Sequence, residues 1–385
     1  MSMQGALAGI RIIDMTGVVL GPYATQILGD YGADVIKIEP PGGDIMRHAG
    51  PMKNPGMGHI FVNANRNKRS VVLDLRQDND RAALLKLCET ADVLTYNIRP
   101  ASMGRLGLGY ETLAALNPRL IYCGAYGYSE GGPYSDLPAY DDLIQGAACI
   151  PSLMLASGSS EPRYVPATFA DRVTGLNMVH AVMAALLARV RTGRGQKVDV
   201  PMFECLVQFV LGEHLGGSTW QPPVAPPGYS RMLSPNRKPY ATSDGHVCVL
   251  VYNDAHWKAF FELVGEPERI HTDPRLANHP ARIAHIDELY ALVQTYVKQK
   301  PTAYWLKELA ACDIPVMQMM KLDDLFTDPH LVATQAWADI EHPHEGRLRQ
   351  FNPPVRMSDT PPAIMRPAPL LGEHTAEVLA EIGMA

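Results

Sequence analysis

Residues 10–39 read IRIIDMTGVVLGPYATQILGDYGADVIKIE, and this stretch decides the class of fold. The apolar runs at 10–14 and 33–39 predict two buried strands, and residues 22–28 predict a helix between them. A strand, a helix and a strand within about 30 residues form a βαβ unit, in which the strands are parallel and the crossover is right-handed. The unit lacks the GxGxxG fingerprint, so we do not expect a nicotinamide cofactor.

The same alternation continues along the chain. Further strands are predicted at 70–75, 92–97 and 120–125, and further helices at 80–89 and 110–116. This pattern predicts an α/β protein with a large, Rossmann-like, doubly wound domain, which we place at residues 1–220. A proline-rich linker at 221–239 leads to a smaller α/β domain at 240–321, and residues 322–385 are expected to return to the large domain.

Composition excludes several classes of function. The 385 residues are 46% hydrophobic and 19% charged, an ordinary globular balance, and the formal net charge is −6. A basic surface for nucleic acid or an anionic membrane is therefore not expected. Arg11 and Asp14 interrupt the N-terminal apolar run, so we predict no signal peptide. The six cysteines show no CxxC spacing, which favours reduced thiols and a cytoplasmic protein.

Residues 166–204 contain the main candidate for chemistry, Asp171. Apolar residues follow it at helical spacing, which predicts a helix of roughly 20 residues with one buried face. These residues are Val173, Leu176, Val179, Met183, Leu186, Leu187 and Val190. Asp171 thus lies where a helix begins, near free backbone N–H groups. Its carboxylate is either a helix N-cap or an ionised nucleophile, and the residues alone leave both interpretations open.

Other candidate features have ordinary explanations beside functional ones. The basic cluster at 65–69 is either a solvated charged face or a phosphate cradle, and Arg99 and Arg105 have the same two interpretations. The glycine-rich segment 124–133 is not a Walker A loop, because no Gly-Lys-Ser/Thr follows it. The histidines show neither HExxH nor tight clustering, and no GxSxG is present, so we predict no metal site and no serine hydrolase.

Several motifs together resemble those of the class III CoA-transferase family, the group of formyl-CoA and carnitine CoA-transferases and α-methylacyl-CoA racemases. The likeness covers nearly the whole chain. Its motifs here are GPYATQILGDYGADVIKIEPPGGDIMR (21–47), NRNKRSVVLDLR (65–76), ADVLTYNIRPASMGRLGL (91–108), NPRLIY (117–122), AALLARVRTGRGQKVDVPMFE (184–204) and PLLGEHTAEVL (369–379).

The resemblance implies a Rossmann-like domain with a smaller domain, and two chains interlocked as a homodimer. It implies transfer of CoA from an acyl-CoA to a small carboxylic acid, with coenzyme A as substrate and no further cofactor. Asp171 occupies the position of the family's nucleophile, which forms a covalent aspartyl intermediate. By the same resemblance, the CoA-binding residues are Leu73, Asp74, Leu75, Arg76, Asn97, Ile98, Arg105, Tyr140 and Asp141.

The sequence also departs from the family pattern. Val19 replaces a glutamine of the formyl-CoA transferases, and residues 230–238 lack their tetraglycine loop, so formyl-CoA or oxalate specificity is not expected. Tyr140 replaces the racemase histidine and is not an acid/base near neutral pH. Racemisation, with Asp171 and Asp254 as bases, and CoA binding without catalysis remain alternatives. Basic residues at Arg172 and Arg231 favour a small dicarboxylate such as succinate, and backbone amides of 124–132 are candidate oxyanion donors.

Overall fold

The computed structural model describes residues 5–384, and these form two compact units. Unit 1 takes the described residues up to Ala148, then Val165–Phe209, then those from Pro329 onward. Unit 2 takes Cys149–Tyr164 and Val210–Asp328. The domain boundaries drawn from the sequence stay a prediction.

Unit 1 contains a six-stranded parallel sheet in the order β3-β2-β1-β4-β5-β6. Its strands are β1 (Arg11–Met15), β2 (Asp34–Glu39), β3 (Lys68–Val72), β4 (Val93–Tyr96), β5 (Ile121–Tyr126) and β6 (Lys197–Pro201). The strand order reverses between β1 and β4, which is the kind of place where open α/β sheets bind ligands, beyond the carboxyl ends of the strands. The predicted α/β fold class is confirmed.

The remaining strands form two small antiparallel sheets. Unit 2 has the order β7-β8-β9, from β7 (Tyr240–Ala241), β8 (His246–Val249) and β9 (Val316–Gln318). Unit 1 has the hairpin β10 (Trp337–His342) and β11 (Gly346–Phe351). The sequence analysis assigned no strands to residues 322–385 and so did not predict this hairpin.

The α-helices connect and cover these strands. In chain order they are α1 (Leu20–Asp30), α2 (His59–Ala64), α3 (Asp78–Thr90), α4 (Pro100–Arg105), α5 (Tyr110–Leu116), α6 (Asp141–Ala147), α7 (Ile150–Ala156), α8 (Phe169–Thr192), α9 (Met202–His214), α10 (Ser230–Leu233), α11 (Asp254–Leu263), α12 (Arg269–Thr272), α13 (His279–Ala284), α14 (Ile286–Val297), α15 (Thr302–Ala311), α16 (Pro329–Ala333) and α17 (Thr375–Glu381). Short 3₁₀ helices lie at Ile45–His48, Gly216–Thr219, Pro274–Leu276 and Asp323–Phe326.

Each unit has its own apolar core. In unit 1, residues of β1, β2, β4 and β5 pack with α3 and with Val378 of α17, which is fully buried. This contact joins the C-terminal segment to the sheet of unit 1. In unit 2, Trp257, Phe260 and Phe261 of α11 pack with α14 and α15.

The basic cluster at 65–69 is buried, and neither predicted interpretation of it is correct. Each of its five residues is less than 10% exposed. Arg66 pairs with Asp30 at 2.7 Å, and Lys68 pairs with Asp14 at 3.0 Å. The cluster leads into the amino end of β3, away from the carboxyl edge where ligands bind. Its charges are neutralised inside the protein instead of facing water or a phosphate.

Helix α8 is the long helix that the apolar spacing predicts, and Gly193, with φ +71°, ends it. The predicted single buried face is wrong, because four of its seven apolar residues are exposed in this chain: Leu176, Met183, Leu187 and Val190. Its N-cap is Thr168 and Asp171 is its third residue, so the N-cap interpretation of Asp171 is wrong. Among the described residues α8 alone has the length and apolarity of a membrane span, and half of its most apolar window is buried within the protein. A core helix of a globular enzyme has the same properties.

Candidate active site

A cavity of about 630 Å³ lies in unit 1 at the carboxyl edge of the sheet. Residues that follow β1, β2, β4 and β5 line it, together with the starts of α6 and α8. It therefore lies at the reversal of strand order between β1 and β4, where the topology favours a ligand site.

Asp171 lies in the wall of this cavity and is 9% exposed. Its backbone N–H donates to Oδ1 of Asp141 over 2.9 Å, so a second carboxylate binds the first turn of α8. Burial and the negative charge of Asp141 raise the pKa of Asp171 to about 7, against a smaller opposing effect of Arg172. A carboxyl with this pKa in a cavity is a candidate for catalysis.

Gln145 connects these two aspartates to the segment that leads into α8. It is fully buried, and its Nε2 donates to Oδ2 of Asp141 over 2.6 Å. Its Oε1 accepts from the backbone N–H of Val165 over 2.9 Å. Gln145 thus orients the carboxylate that holds the N–H of Asp171. The sequence reading missed Gln145, although its i,i+4 spacing from Asp141 on a helix was a usable signal.

The cavity brings together five of the predicted site residues: Asp171, Asn97, Ile98, Tyr140 and Asp141. Asn97 follows β4 and forms two hydrogen bonds with the backbone of Gly17. Tyr140 precedes α6 and is 68% exposed, so its ring lies at the open side of the cavity.

The other predicted CoA-binding residues lie outside the cavity lining. Leu73, Asp74, Leu75 and Arg76 follow β3 at the same edge of the sheet. Arg76 pairs with Asp74 at 2.8 Å and its side chain is 81% exposed. Arg105 ends α4 and donates to Oγ of Ser102 over 2.8 Å. Leu73 is only 2% exposed and packs in the apolar core of unit 1, so its side chain does not face a ligand.

Three charged residues that were not singled out from the sequence line the cavity, namely Lys37, Glu39 and Asp44. The side chains of Lys37 and Asp44 form an ion pair at 3.1 Å and are only 1% and 2% exposed. Lys37 lies within the apolar sequence of β2. The local sequence does not show whether a lysine at this position is buried or reaches the surface. Arg99, another cavity residue, donates to the backbone oxygen of Asp136 over 3.0 Å.

The residues named for alternative chemistry have other partners. Asp254, the second base of the racemase alternative, forms an ion pair with Arg282 in unit 2. Nε of Arg231 donates to the hydroxyl of Tyr290 over 2.9 Å. The guanidinium of Arg172 lies over the ring of Tyr23, 4.2 Å from its centroid. Within residues 5–384, no three His, Cys, Asp or Glu side chains are grouped to hold a metal ion.

Comparison with known proteins shows the family of this chain. The sequence model of CoA-transferase family III matches residues 7–375. The succinate–glutarate CoA-transferase of Agrobacterium fabrum is 34% identical, over 98% of this chain and 95% of its own. The acetyl-CoA:oxalate CoA-transferase of Acetobacter aceti is also 34% identical, over 98% and 96%. A CaiB/BaiF family protein from Brucella suis has a solved structure with a TM-score of 0.83 and 32% identity, covering 98% of this chain and 100% of that one.

The chain belongs to CoA-transferase family III. It is an enzyme, a class III CoA-transferase, as the family resemblance in the sequence predicts.

Proposed function

We propose that this enzyme transfers CoA from an acyl-CoA, with succinyl-CoA as the donor, to a small dicarboxylic acid, and that Asp171 is its nucleophile. The observation that carries the proposal is the position of Asp171, a buried carboxylate in the wall of the cavity at the carboxyl edge of the sheet. The names of similar enzymes support the substrate class, because they specify succinate, glutarate and mesaconate.

The chemistry begins when a carboxylate oxygen of Asp171 attacks the thioester carbonyl carbon of the donor. The C–S bond breaks, CoA leaves as the thiolate, and a mixed anhydride remains on Asp171. The thiolate then attacks the aspartyl carbonyl, which releases the donor acid and leaves an aspartyl-CoA thioester. The acceptor carboxylate attacks this thioester, which expels CoA thiolate and gives a second anhydride. The thiolate then attacks the acceptor carbonyl of that anhydride, and its C–O bond breaks to release the acceptor-CoA and the free carboxylate of Asp171. These covalent steps replace a direct transfer of CoA between the donor and the acceptor, which react poorly with each other.

Each tetrahedral intermediate needs hydrogen-bond donors for its oxyanion. Gly127, from the predicted glycine-rich segment, lines the cavity and is one candidate through its backbone N–H. Leu20 is another, because it lines the cavity as the first residue of α1, where an N–H has no partner within the helix.

CoA is proposed to lie along the carboxyl edge of the sheet. Asn97, Ile98, Tyr140 and Asp141 are placed to contact its reactive end in the cavity. We propose that Asp74, Leu75, Arg76 and Arg105 contact its remaining length, and that Leu73, whose side chain is buried, does so only through its backbone. The exposed guanidinium of Arg76 suits a phosphate, which arginine binds in a bidentate manner.

We also propose a homodimer, in which a second copy covers the exposed apolar face of α8. Large side chains on this face remain exposed at helical spacing: Leu176 50%, Met183 38%, Leu187 64% and Val190 82%. Exposed apolar surface of this extent marks a protein–protein interface. Replacing Leu187 and Val190 by glutamate is expected to yield monomers in analytical ultracentrifugation, and an unchanged dimer would contradict this interface.

The cytoplasm is the proposed compartment, since all six cysteines are free thiols.

The decisive experiment traps the intermediate. Wild type and Asp171→Ala are incubated with succinyl-CoA and hydroxylamine, which converts an aspartyl thioester or anhydride to a hydroxamate, and are then analysed by peptide mass spectrometry. We expect a hydroxamate at Asp171 in the wild type and none in the variant. Asp142→Asn is the matched control, because Asp142 is an exposed neighbour outside the cavity lining.

Substrate class is tested in the same enzyme. Succinate, glutarate and mesaconate are compared with butyrate as acceptors, and a preference for the dicarboxylates is expected. Equal rates with butyrate would overturn the dicarboxylate proposal. Exchange of the α-hydrogen of an acyl-CoA with deuterium, without a trapped adduct, would instead indicate racemase chemistry.

A further inference from the structure

The segment between β1 and α1 has a strained backbone. Val18 has φ +70°, in the left-handed region that a β-branched residue rarely adopts. Gly17 and Val18 line the same cavity as Asp171, and α1 begins two residues later at Leu20. Strain of this kind persists only where the surrounding structure imposes it, and it is concentrated at functional sites.

Hydrogen bonds from three neighbouring elements impose this conformation. Asn97, after β4, accepts from the N–H of Gly17 over 3.0 Å and donates to its carbonyl over 2.8 Å. Asp44, after β2, accepts from the N–H of Val18 over 3.2 Å. Lys37, on β2, donates to the carbonyl of Thr16 over 2.7 Å. Every residue from Thr16 to Val18 is therefore held by a side chain distant in the sequence.

Lys37 and Asp44 also bind each other. Their ion pair, at 3.1 Å, is almost fully buried, and Nζ of Lys37 is occupied by Asp44 and by the carbonyl of Thr16. The backbone N–H of Asp44 donates to Oε2 of Glu39 over 3.0 Å, and Glu39 in turn pairs with Arg47. Because the charges balance, the pair can remain buried and fixed beside the cavity.

We infer that the Lys37–Asp44 ion pair is a positioning device for the Thr16–Val18 segment and for the first turn of α1. The inference rests on the proposed function of the cavity. It assigns a positioning role to Lys37 and Asp44, neither of which reacts with the substrate. The pair holds the strained segment at the cavity wall, so that the backbone groups there keep their places relative to Asp171. A displacement of about 1 Å at such a wall can lower a rate about 100-fold.

The test uses Asp44→Glu, which keeps the charge opposite Lys37 but moves the carboxylate that accepts from Val18. We expect kcat to fall about 100-fold with little change in the KM for acyl-CoA and a melting temperature close to that of the wild type. Adding Val18→Gly is expected to restore kcat at least about 10-fold, because glycine adopts positive φ without strain. Val18→Gly alone is expected to lower kcat less than Asp44→Glu does, since the remaining hydrogen bonds still hold the segment.

Asp30→Asn is the matched control. Asp30 is also a buried carboxylate in an ion pair, with Arg66, but it ends α1 and lies outside the cavity lining. We expect this variant to lose stability and to keep kcat and KM. If Asp44→Glu does not fold, Lys37→Arg takes its place, because it keeps the charge but moves the donor to the carbonyl of Thr16, and the same rescue by Val18→Gly is expected.

Three results would overturn the inference. They are an unchanged kcat in Asp44→Glu, a loss that Val18→Gly does not restore, and a raised KM with unchanged kcat, which would make the pair a CoA-binding group. The hydroxylamine adduct distinguishes a failure of the positioning role from a failure of the proposed nucleophile. A wild type that forms the adduct while Asp44→Glu reacts equally fast overturns only the positioning role. A wild type without an adduct at Asp171 overturns the proposed nucleophile, and the positioning role with it.

Discussion

Unit 1 buries carboxylates in two different ways. Asp14 is fully buried, and Lys68 contacts it at 3.0 Å. Burial alone would raise the pKa of Asp14, but the positive charges of Lys68 and Lys37 hold it well below its usual range. Asp171 is also buried, yet a second carboxylate, Asp141, faces it, and its pKa rises to about 7. The same residue type is therefore stabilised as an anion in one place and destabilised as an anion in the other.

The two environments give buried carboxylates different roles, one in the stability of the fold and one in catalysis. A buried carboxylate with a cation beside it is satisfied, and it holds the fold as long as both partners remain. A buried carboxylate beside another carboxylate has unsatisfied charge, and this raises its reactivity toward an electrophile or a proton. The following predictions test this contrast between the Asp14 and Asp171 environments.

The largest expected effect is on activity. Asp171→Asn removes the attacking oxygen anion, and we expect transferase activity to fall at least about 1,000-fold. Steady-state assay of CoA transfer from succinyl-CoA measures it, with Asp142→Asn as the control that should retain activity. If the transferase activity of Asp171→Asn is within tenfold of the wild-type activity, the Asp171 carboxylate is not the nucleophile.

The next effect is on stability. Lys68→Met leaves Asp14 buried without its nearest cation, and we expect a loss of about 3–5 kcal/mol in the free energy of unfolding. Urea denaturation at pH 7 measures the loss. Adding Asp14→Asn should recover part of it, because the buried charge is then gone. The Asp74–Arg76 pair supplies the control, since the Arg76 side chain is 81% exposed and Arg76→Met should lower stability far less than Lys68→Met does.

A smaller effect is the dependence of stability on pH. The pKa of Asp171 is raised in the folded state to about 7, so the folded protein holds this proton more tightly than the unfolded chain. The resulting stabilisation is fully present below the unfolded pKa, near 4, and is lost as the pH rises through about 7. Melting temperatures of wild type and Asp171→Asn should therefore diverge between pH 4 and pH 7, with the variant becoming relatively more stable. Parallel curves would contradict the raised pKa.

The smallest effect is on the pH profile of catalysis. Asp171 must be ionised to attack, so kcat/KM is expected to rise with pH through about 7. Asp141→Asn removes the neighbouring charge but keeps an oxygen that can accept from the N–H of Asp171. The rise should then move to lower pH. A profile that stays in place would mean that burial alone sets the pKa.

Local patterns carried much of the fold. Alternating strand and helix signals predicted the βαβ unit at 10–39, and apolar spacing predicted α8 with its glycine stop at Gly193. The family motifs added the enzyme class and Asp171. The β10–β11 hairpin was missed because its strands lie in a proline-rich tail, and Gln145 was missed because its one local signal, the i,i+4 spacing from Asp141, does not show that the pair is buried beside a cavity.

The sequence by itself determined the α/β class, the long helix and the candidate nucleophile, because periodicity and motifs are properties of neighbouring residues. Only the tertiary structure decided whether each buried charge has an opposite charge beside it. Asp14 meets Lys68 across 54 positions of sequence, and Asp141 meets the N–H of Asp171 across 30. The basic cluster at 65–69 is buried for the same reason, since its partners come from other elements. Whether a carboxylate is neutralised or reactive depends on what folding places beside it, which the local sequence does not specify.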